Sequence, residues 1–288
     1  GFNDNIELTV HGIGGTTASD DLVIRAVDDT PTANLDGPSS VTEDGASSIG
    51  GNVLTNDISG ADTPKAFTSW SSTDTAAIEA LNTYGTLTQN NDGSWTYLLD
   101  NTRAATQELT SGSNLTYDLH YTMQDADGDQ SSSTLTITIK GANDGATVTT
   151  LNAEGPDATV YESGLNPDGS NAAAGTESTS GTFAITATDG IQDVVIGGTT
   201  FTLAQIQAFA TTNGTVNTGE GVLTLNSYSG NSFGGTIGYT YTLSATIDND
   251  SKVPTGLDSV DATGFNDNIE LTVHGIGGTT ASDDLVIR

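Results

Sequence analysis

The sequence contains one long internal repeat without a single difference. Residues 1–25 read GFNDNIELTVHGIGGTTASDDLVIR, and residues 264–288 read the same, at an offset of 263 residues. Identity over 25 positions cannot arise by chance and indicates a tandem array of large structural units. We therefore expect the chain to be a piece of a longer protein, covering one period of the array plus an overlap.

Apolar and polar residues alternate inside the repeat and along much of the chain. Ile6, Leu8 and Val10 alternate with polar residues, and Leu135, Ile137 and Ile139 alternate with threonines. This period of two is typical of half-buried β-strands. Many short strands separated by turns rich in Gly, Asn and Asp predict an all-β chain of tandem β-sandwich domains joined end to end.

Two acidic segments mark the predicted domain boundaries. Pro31 in DDTP cannot continue a β-ladder, and GANDG at residues 141–145 follows an alternating strand. We therefore assign three parts: the last two strands of a truncated preceding repeat, a complete β-sandwich and a second complete β-sandwich. Their residues are 1–28, 29–144 and 145–288.

Both copies of the repeat belong to the same kind of domain, but only one such domain is complete here. A segment adjacent in the chain loses less closure entropy than one more than two hundred residues away. We therefore expect residues 264–288 to fill the last sandwich. Residues 1–25 are then expected to be disordered or held by another molecule.

The charge excludes some partners. Lys and Arg total 6 against 37 Asp and Glu, so the formal net charge is −31. Such a chain repels nucleic acid and anionic membranes, and no apolar run reaches the ~18 residues of a membrane span. The sequence also has no Cys. We expect an extracellular monomer without disulfides, nucleic-acid binding or membrane insertion, whose partners are neighbouring repeats of its own chain.

Oxygen-bearing side chains bracket the strand at residues 133–140. Asp125, Asp127 and Asp129 precede it in a D-x-D-G-D pattern, and Asn143 and Asp144 follow it. Such a pattern favours a hard cation such as Ca²⁺, because a tight turn lets the carboxylates converge. The alternative is a solvated acidic turn followed by a polar linker.

Two parts of the chain resemble repeats of large type I-secreted RTX adhesins. YGTLTQNNDGSWTYLLDN with LTYDLHYTMQDADGDQSSSTLTITIKGANDGA resembles their VCBS-type repeats. ITATDGIQDVVIGGTTFTLAQIQAF with IGYTYTLSATIDND resembles their Ig-like extender repeats. The resemblance implies Ig-like/cadherin-like β-sandwiches with Ca²⁺ at the linkers. It also implies a role in biofilm and cell adhesion, in which the repeats project a distal ligand-binding region from the bacterial surface.

The resemblance also implies a ligand set. One local departure is that residues 11–15 (HGIGG) stand where a D-x-D-G-D would precede Asp29, so that linker is expected to bind weakly or to use Asp20 and Asp21. The glutamates match more loosely, as cadherin-like N-terminal glutamates. The candidate calcium ligands are Asp28, Asp29, Glu43, Asp125, Asp127, Asp129, Asn143, Asp144, Glu162, Asp248 and Asp250.

No catalytic constellation is visible. The three histidines are two positions, because His11 and His274 are copies, and His120 and His274 fall on polar strand faces. We therefore expect no enzyme, although a carbohydrate-binding module and an accessory array of a secreted hydrolase remain alternatives. Trp70 and Tyr228 are the candidate sugar platforms, whereas Trp95 is predicted to be core.

Overall fold

The computed structural model describes residues 2–152, 155–247, 258–261 and 264–288. These residues are organised as two compact units, Gly1–Asp100 with Asn114–Ile139, and Asn101–Ser113 with Lys140–Arg288. The helices are α1 (Thr75–Tyr84), α2 (Ala104–Gln107) and α3 (Leu203–Gln207). The strands are β1 (Phe2–His11), β2 (Thr17–Ala26), β3 (Asp36–Thr42), β4 (Ser48–Asn52), β5 (Ala66–Trp70), β6 (Gly85–Gln89), β7 (Ser94–Leu99), β8 (Asn114–Gln124), β9 (Gln130–Lys140), β10 (Ala146–Thr149), β11 (Ser178–Ala187), β12 (Ile191–Ile196), β13 (Thr199–Thr202), β14 (Gly214–Asn217), β15 (Gly221–Gly230), β16 (Gly234–Leu243), β17 (Ser259–Asp261), β18 (Gly264–Gly275) and β19 (Thr280–Ile287).

The first unit contains two sheets that form a core. One has the strand order β3-β9-β8-β5 and the other the order β4-β7-β6. Alternate residues of the strands point inward, as the period of two predicts. The apolar residues buried on β7, β8 and β9 are Trp95, Tyr97, Leu99, Leu119, Tyr121, Met123, Leu135, Ile137 and Ile139. They include Trp95, which the sequence predicts to be core, and the alternating residues Leu135, Ile137 and Ile139.

The local elements of the first unit follow their sequence signals closely. β6 and β7 form a hairpin around Asn90–Gly93, a run of Asn, Asp and Gly that favours a tight turn. Gly93 adopts a φ of 81°, which favours glycine. α1 begins at Thr75, with Asp74 at its N-cap. The buried Tyr97 hydroxyl donates to the carbonyl of Leu81 at 2.9 Å and anchors α1 to the core.

The second unit also has two sheets. Their strand orders are β10-β11-β16-β15-β14 and β13-β12-β18-β17, with β19 added beside β18. A contiguous core lies among these strands and α3, and includes Phe183, Phe209 and Tyr241. A capping box of Thr202 and Gln205 starts α3, which ends at Gln207.

The two copies of the repeat fold alike but lie in different surroundings. In each copy the two strands pair in the same register, with Asp4 opposite Ile24 and Asp267 opposite Ile287. β18 also pairs with β12, and its apolar face is buried, so the prediction that residues 264–288 fill the last sandwich is confirmed. The first copy is not disordered, because β1 and β2 form a hairpin, in which every described residue is exposed. The alternative expectation, that another molecule holds this copy, stays a prediction.

The identical copies provide a matched pair of substitutions. Leu271 is fully buried, whereas its copy Leu8 is 52% exposed. Leu271→Ala should destabilise the second unit by about 2–5 kcal/mol because it leaves a cavity in the core. Leu8→Ala should change the stability by less than about 0.5 kcal/mol.

Scanning calorimetry on the full chain measures both effects. Trp70 and Trp95 both lie in the first unit, so tryptophan fluorescence follows the unfolding of that unit. Its melting temperature should be unchanged in either variant. Equal destabilisation by the two substitutions would contradict the different burial of the two copies.

Candidate metal centres

Carboxylates of the first unit converge in two overlapping groups. Asp28, Asp62 and Asp127 form one group, and Asp125, Asp127 and Asp129 form the other. Within each group, one oxygen of every residue lies within 4.8 Å of the others. Because Asp127 belongs to both groups, the five aspartates form one centre, which we call the aspartate centre.

The turn between β8 and β9 places three of these aspartates. The backbone N–H of Asp125 donates to the carbonyl of Asp129 at 3.1 Å. The N–H groups of Gly128 and Asp129 donate to Oδ1 of Asp125 at 3.1 and 2.9 Å, and Gly128 has a φ of 104°. Asp125 is 2% exposed, and its buried Oδ2 has no hydrogen-bond partner. That oxygen is therefore free to bind a cation, which would offset its desolvation.

The other two aspartates come from the segment before the sandwich and from the loop before β5. Asp29 joins these two segments, since its Oδ1 accepts from the N–H of Thr30 at 3.1 Å and its Oδ2 accepts from the N–H of Ala61 at 2.8 Å. The carbonyl of Asp62 accepts from the N–H of Ala126 at 3.1 Å. Asp29 thus holds the neighbouring Asp28 in place, and is itself outside both carboxylate groups.

The negative charges of the aspartate centre oppose each other. The pKa of Asp127 is raised above its ordinary value by a hydrogen bond shared with Asp125, by desolvation, and by the charges of Asp125, Asp28 and Asp62. A bound divalent cation would replace this repulsion with attraction. Ca²⁺ prefers hard oxygen ligands, of which carboxylates are the charged members, so the residues present fit that ion.

A second cluster lies in the second unit. Glu220, Asp258 and Asp267 bring one carboxylate oxygen each within 4.8 Å of one another. Oδ2 of Asp267 accepts hydrogen bonds of 2.6 Å from the hydroxyls of Thr218 and Tyr241, and burial raises the pKa of Asp267. Part of this cluster is therefore already committed to hydrogen bonds within the protein.

The residues that follow β9 do not join the aspartate centre. The three aspartates at 125, 127 and 129 precede the 11-residue strand β9, whereas Asn143 and Asp144 follow it. The two predicted sets of ligands therefore lie beyond opposite ends of one strand. Oδ1 of Asn143 accepts from the N–H of Ser111 at 2.7 Å. The N–H of Asp144 donates to Oδ1 of the buried Asp189 at 3.0 Å.

Glu43 and Glu162 are also predicted ligands, and neither belongs to one of these clusters. Glu43 is buried just after β3, and Glu162 accepts a hydrogen bond from the N–H of Ile247 and lines a cavity of 520 Å³. Asp20 and Asp21 are exposed on β2 and belong to neither cluster. Asp248 and Asp250 lie outside the described residues.

Sequence reasoning missed four members of these clusters, Asp62, Glu220, Asp258 and Asp267. Asp62 follows a glycine turn and precedes a proline, so it looks like an ordinary loop residue. Glu220 and Asp267 carry no recognisable spacing either. Each of these side chains becomes a candidate ligand only through contacts distant in sequence, which a linear motif does not record.

Two of the three histidines and both tryptophans make contacts within the fold. Nδ1 of His120 lies 2.9 Å from Oδ1 of Asp74, and Nδ1 of His274 lies 2.6 Å from Oδ1 of Asp193. Trp95 is buried, as predicted. Nε1 of Trp70 donates to the carbonyl of Asn90 at 3.0 Å, and its ring packs 5.2 Å from that of Phe67. The Trp70 ring is thus engaged in protein contacts.

A buried acidic site lies elsewhere in the first unit. The Tyr121 hydroxyl donates to Oδ1 of Asp57 at 2.9 Å. Asp36 also interacts with both groups, through a hydrogen bond with Tyr121 and through charge repulsion by Asp57. Burial raises the pKa of Asp36 to about 6; the Tyr121 hydroxyl opposes this shift and the Asp57 charge adds to it. Oδ2 of Asp36 is buried without a hydrogen-bond partner.

Comparisons with known proteins agree with this fold. Residues 28–141 match a family described as the bacterial cadherin-like domain. No curated protein matches the sequence. None of the described helices has the length and apolarity required to cross a membrane.

Solved structures with similarity to the chain include three sets of cadherin domains. Extracellular domains 1–5 of protocadherin gamma B2 are 12% identical, with a TM-score of 0.37, and the match covers 99% of this chain and 50% of that one. Domains EC1-3 of mouse protocadherin-24 are 12% identical, with a TM-score of 0.32 and coverages of 99% and 78%. Domains EC22-24 of mouse cadherin-23 are 14% identical, with a TM-score of 0.32 and coverages of 99% and 73%. The chain thus spans about half the length of the gamma B2 structure.

Calcium should stabilise the first unit through the aspartate centre. A ligand that binds only the folded state at a hundred times its Kd adds about 2.7 kcal/mol. Asp127→Asn should remove most of this gain. In excess chelator the same variant should melt higher than the wild type, because a repelling charge is gone.

Thermal melting followed by tryptophan fluorescence, with calcium and with excess chelator, checks both effects. Asp118→Asn is the control, since Asp118 is exposed on β8 in the same unit and lies outside both carboxylate groups. A calcium effect retained in Asp127→Asn would contradict the assignment.

The buried Asp36 predicts a pH dependence of the calcium-free protein. Its pKa is raised to about 6 in the fold, so its contribution to stability is present at low pH and is lost as the pH rises through about 6. The melting temperature in chelator should therefore fall between pH 5 and pH 7.5. Asp36→Asn should flatten this fall, and Asp118→Asn should not. Parallel pH profiles for the wild type and Asp36→Asn would show that Asp36 is not the titrating group.

Proposed function

We propose that the chain is a non-enzymatic, calcium-rigidified extender of a large extracellular bacterial surface adhesin of the RTX type. Its β-sandwiches follow one another along the chain and project a distal ligand-binding region from the cell. The observation that carries this proposal is the convergence of Asp28, from the segment before the sandwich, with Asp62 and Asp127 from two loops of the sandwich.

The position of Asp28 explains how a cation at the aspartate centre would stiffen the chain. β2 ends at Ala26, and the sandwich begins with β3 at Asp36, so Asp28 lies in the connecting segment. A cation held by Asp28, Asp62 and Asp127 would cross-link that segment to the sandwich. The hairpin β1–β2 would then move less relative to the sandwich, and an extender needs this rigidity to hold a distal region away from the cell.

The chemistry of the aspartate centre favours Ca²⁺ among the common cations. Ca²⁺ takes 6–8 oxygen ligands in flexible geometry, which suits five carboxylates from three separate segments. Thiolate sites for soft metals are excluded because the chain has no Cys. The net charge of −31 adds to the case, because bound divalent cations reduce the self-repulsion of the chain.

The surrounding architecture supports an extender role. A 25-residue segment recurs at an offset of 263 residues, as expected of a tandem array in which repeat number sets length. Residues 28–141 are similar to bacterial cadherin-like domains. Such modules support adhesion and structure, which agrees with a non-enzymatic role outside the cell.

A distance measurement between two spin labels tests the rigidity. The chain has no natural Cys, so Ile13→Cys on the β1–β2 turn and Thr86→Cys on the exposed face of β6 take the labels specifically. Calcium should narrow the distance distribution, and excess chelator should broaden it, because the cation fixes the segment at Asp28.

Two further variants make this test specific. Asp62→Asn should leave the distribution broad even with calcium, whereas Asp118→Asn should behave as the wild type. A distribution of the same width with and without calcium would count against the extender proposal, even if calcium raised the melting temperature.

A further inference from the structure

The hairpin β1–β2 leaves an apolar face uncovered that its copy buries. Six apolar residues of the hairpin are 42–71% exposed, whereas their equivalents 263 residues later are 0–5% exposed. The same sequence in the same register therefore has a known binding partner within the described structure. The six residues are Phe2, Ile6, Leu8, Val10, Leu22 and Ile24.

We propose that the hairpin β1–β2 is a strand donor that docks into the second unit of another copy of this chain, in the slot that β18 and β19 occupy. We call this slot the acceptor slot; its edge strand is β12, and its floor is the core of residues 146–243. The partner is therefore a second copy of the chain, joined head to tail.

The contacts of β18 and β19 specify how the hairpin docks. Val194 pairs with Val273 and Ile196 with Leu271, so Val10 and Leu8 would take those positions. Across the slot, Asp157 donates its N–H to the carbonyl of Val286 and accepts the N–H of Val286, each at 2.8 Å. Val23 has the same backbone groups available, and no residue of the hairpin needs to change.

Polar side chains of the slot also match the hairpin. Oδ1 of Asp193 lies 2.6 Å from Nδ1 of His274, whose copy is His11. Oδ2 of Asp283 accepts the N–H of Thr150 at 3.2 Å, and Asp20 is its copy. A docked hairpin therefore reproduces both the apolar burial and the polar pairs.

The hairpins β1–β2 and β18–β19 have the same sequence, so only their covalent connection to the acceptor slot decides which of them occupies it. Residues 264–288 are tethered to the slot, with an effective concentration of the order of mM, and win against a free hairpin at micromolar protein concentration. The donor is therefore latent in the intact chain. Once the slot is vacated, head-to-tail docking continues from copy to copy and gives linear oligomers, or a ring where the rotation between copies closes.

The experiment weakens one donor at a time in the full chain. Leu271→Asp places a charge in the acceptor slot and should yield oligomers whose mass rises with concentration in light scattering after gel filtration. Leu8→Asp, the same change in the free hairpin, should leave a monomer with wild-type melting. The double variant Leu8→Asp/Leu271→Asp should be monomeric again, because neither hairpin can dock.

A deletion provides a second way to empty the slot. The chain truncated after residue 263 should also form oligomers, and adding Leu8→Asp should abolish them. Monomers in both Leu271→Asp and the truncated chain would overturn the proposal. Oligomers that persist when Leu8→Asp is added would overturn it too, since they would reflect non-specific association of apolar surface.

A cross-link tests the register. Val10→Cys and Val194→Cys, introduced together into the Leu271→Asp chain, should form disulfides between molecules on oxidation, because directly opposite residues lie within disulfide reach. Val27→Cys in place of Val10→Cys should not form them, since Val27 follows the hairpin. A disulfide confined to single molecules, or none, would overturn docking into a second copy.

Discussion

The burial of the β18–β19 apolar face is the interaction on which the second unit depends. β18 lies between β12 and β19 in its sheet, and its inward residues join the main core. Removing it would expose the core and leave β12 with one unpaired edge. The hairpin in turn depends on a sandwich for its own stability, as the copy β1–β2 illustrates. A two-stranded hairpin is marginal alone in water, so its stability must come from a sandwich that receives it.

Negative charge is the second constraint. With 37 acidic and 6 basic residues, few carboxylates can find a basic partner, and the fold handles the excess in different ways. Asp125 and Asp29 accept backbone N–H groups and fix turns, whereas Asp74 and Asp193 pair with histidines. Asp28, Asp62 and Asp127 instead face one another, which costs stability without a cation. The aspartate centre is therefore the part of the first unit at which we expect calcium to act.

The same aspartate can have two roles in this architecture. Asp267 belongs to the buried carboxylate cluster and accepts from Tyr241, whereas its copy Asp4 is exposed on β1. The chemistry of that position thus depends on whether the hairpin is docked. Because Asp267 lies on β18, the carboxylate cluster is complete only when β18 and β19 fill the sandwich.

The sequence by itself determined the strands, the turn types and the inward faces. The alternation in β7, β8 and β9 and the Asn90–Gly93 hairpin depend on neighbours in the chain, whose geometry is periodic. It also determined that Asp125, Asp127 and Asp129 share a turn. Tertiary structure decided the rest: Asp62 joins that turn, Asn143 and Asp144 do not, and one copy of an identical repeat is buried while the other is exposed. Local sequence cannot decide burial between two identical segments, because burial depends on which partner strands lie within reach.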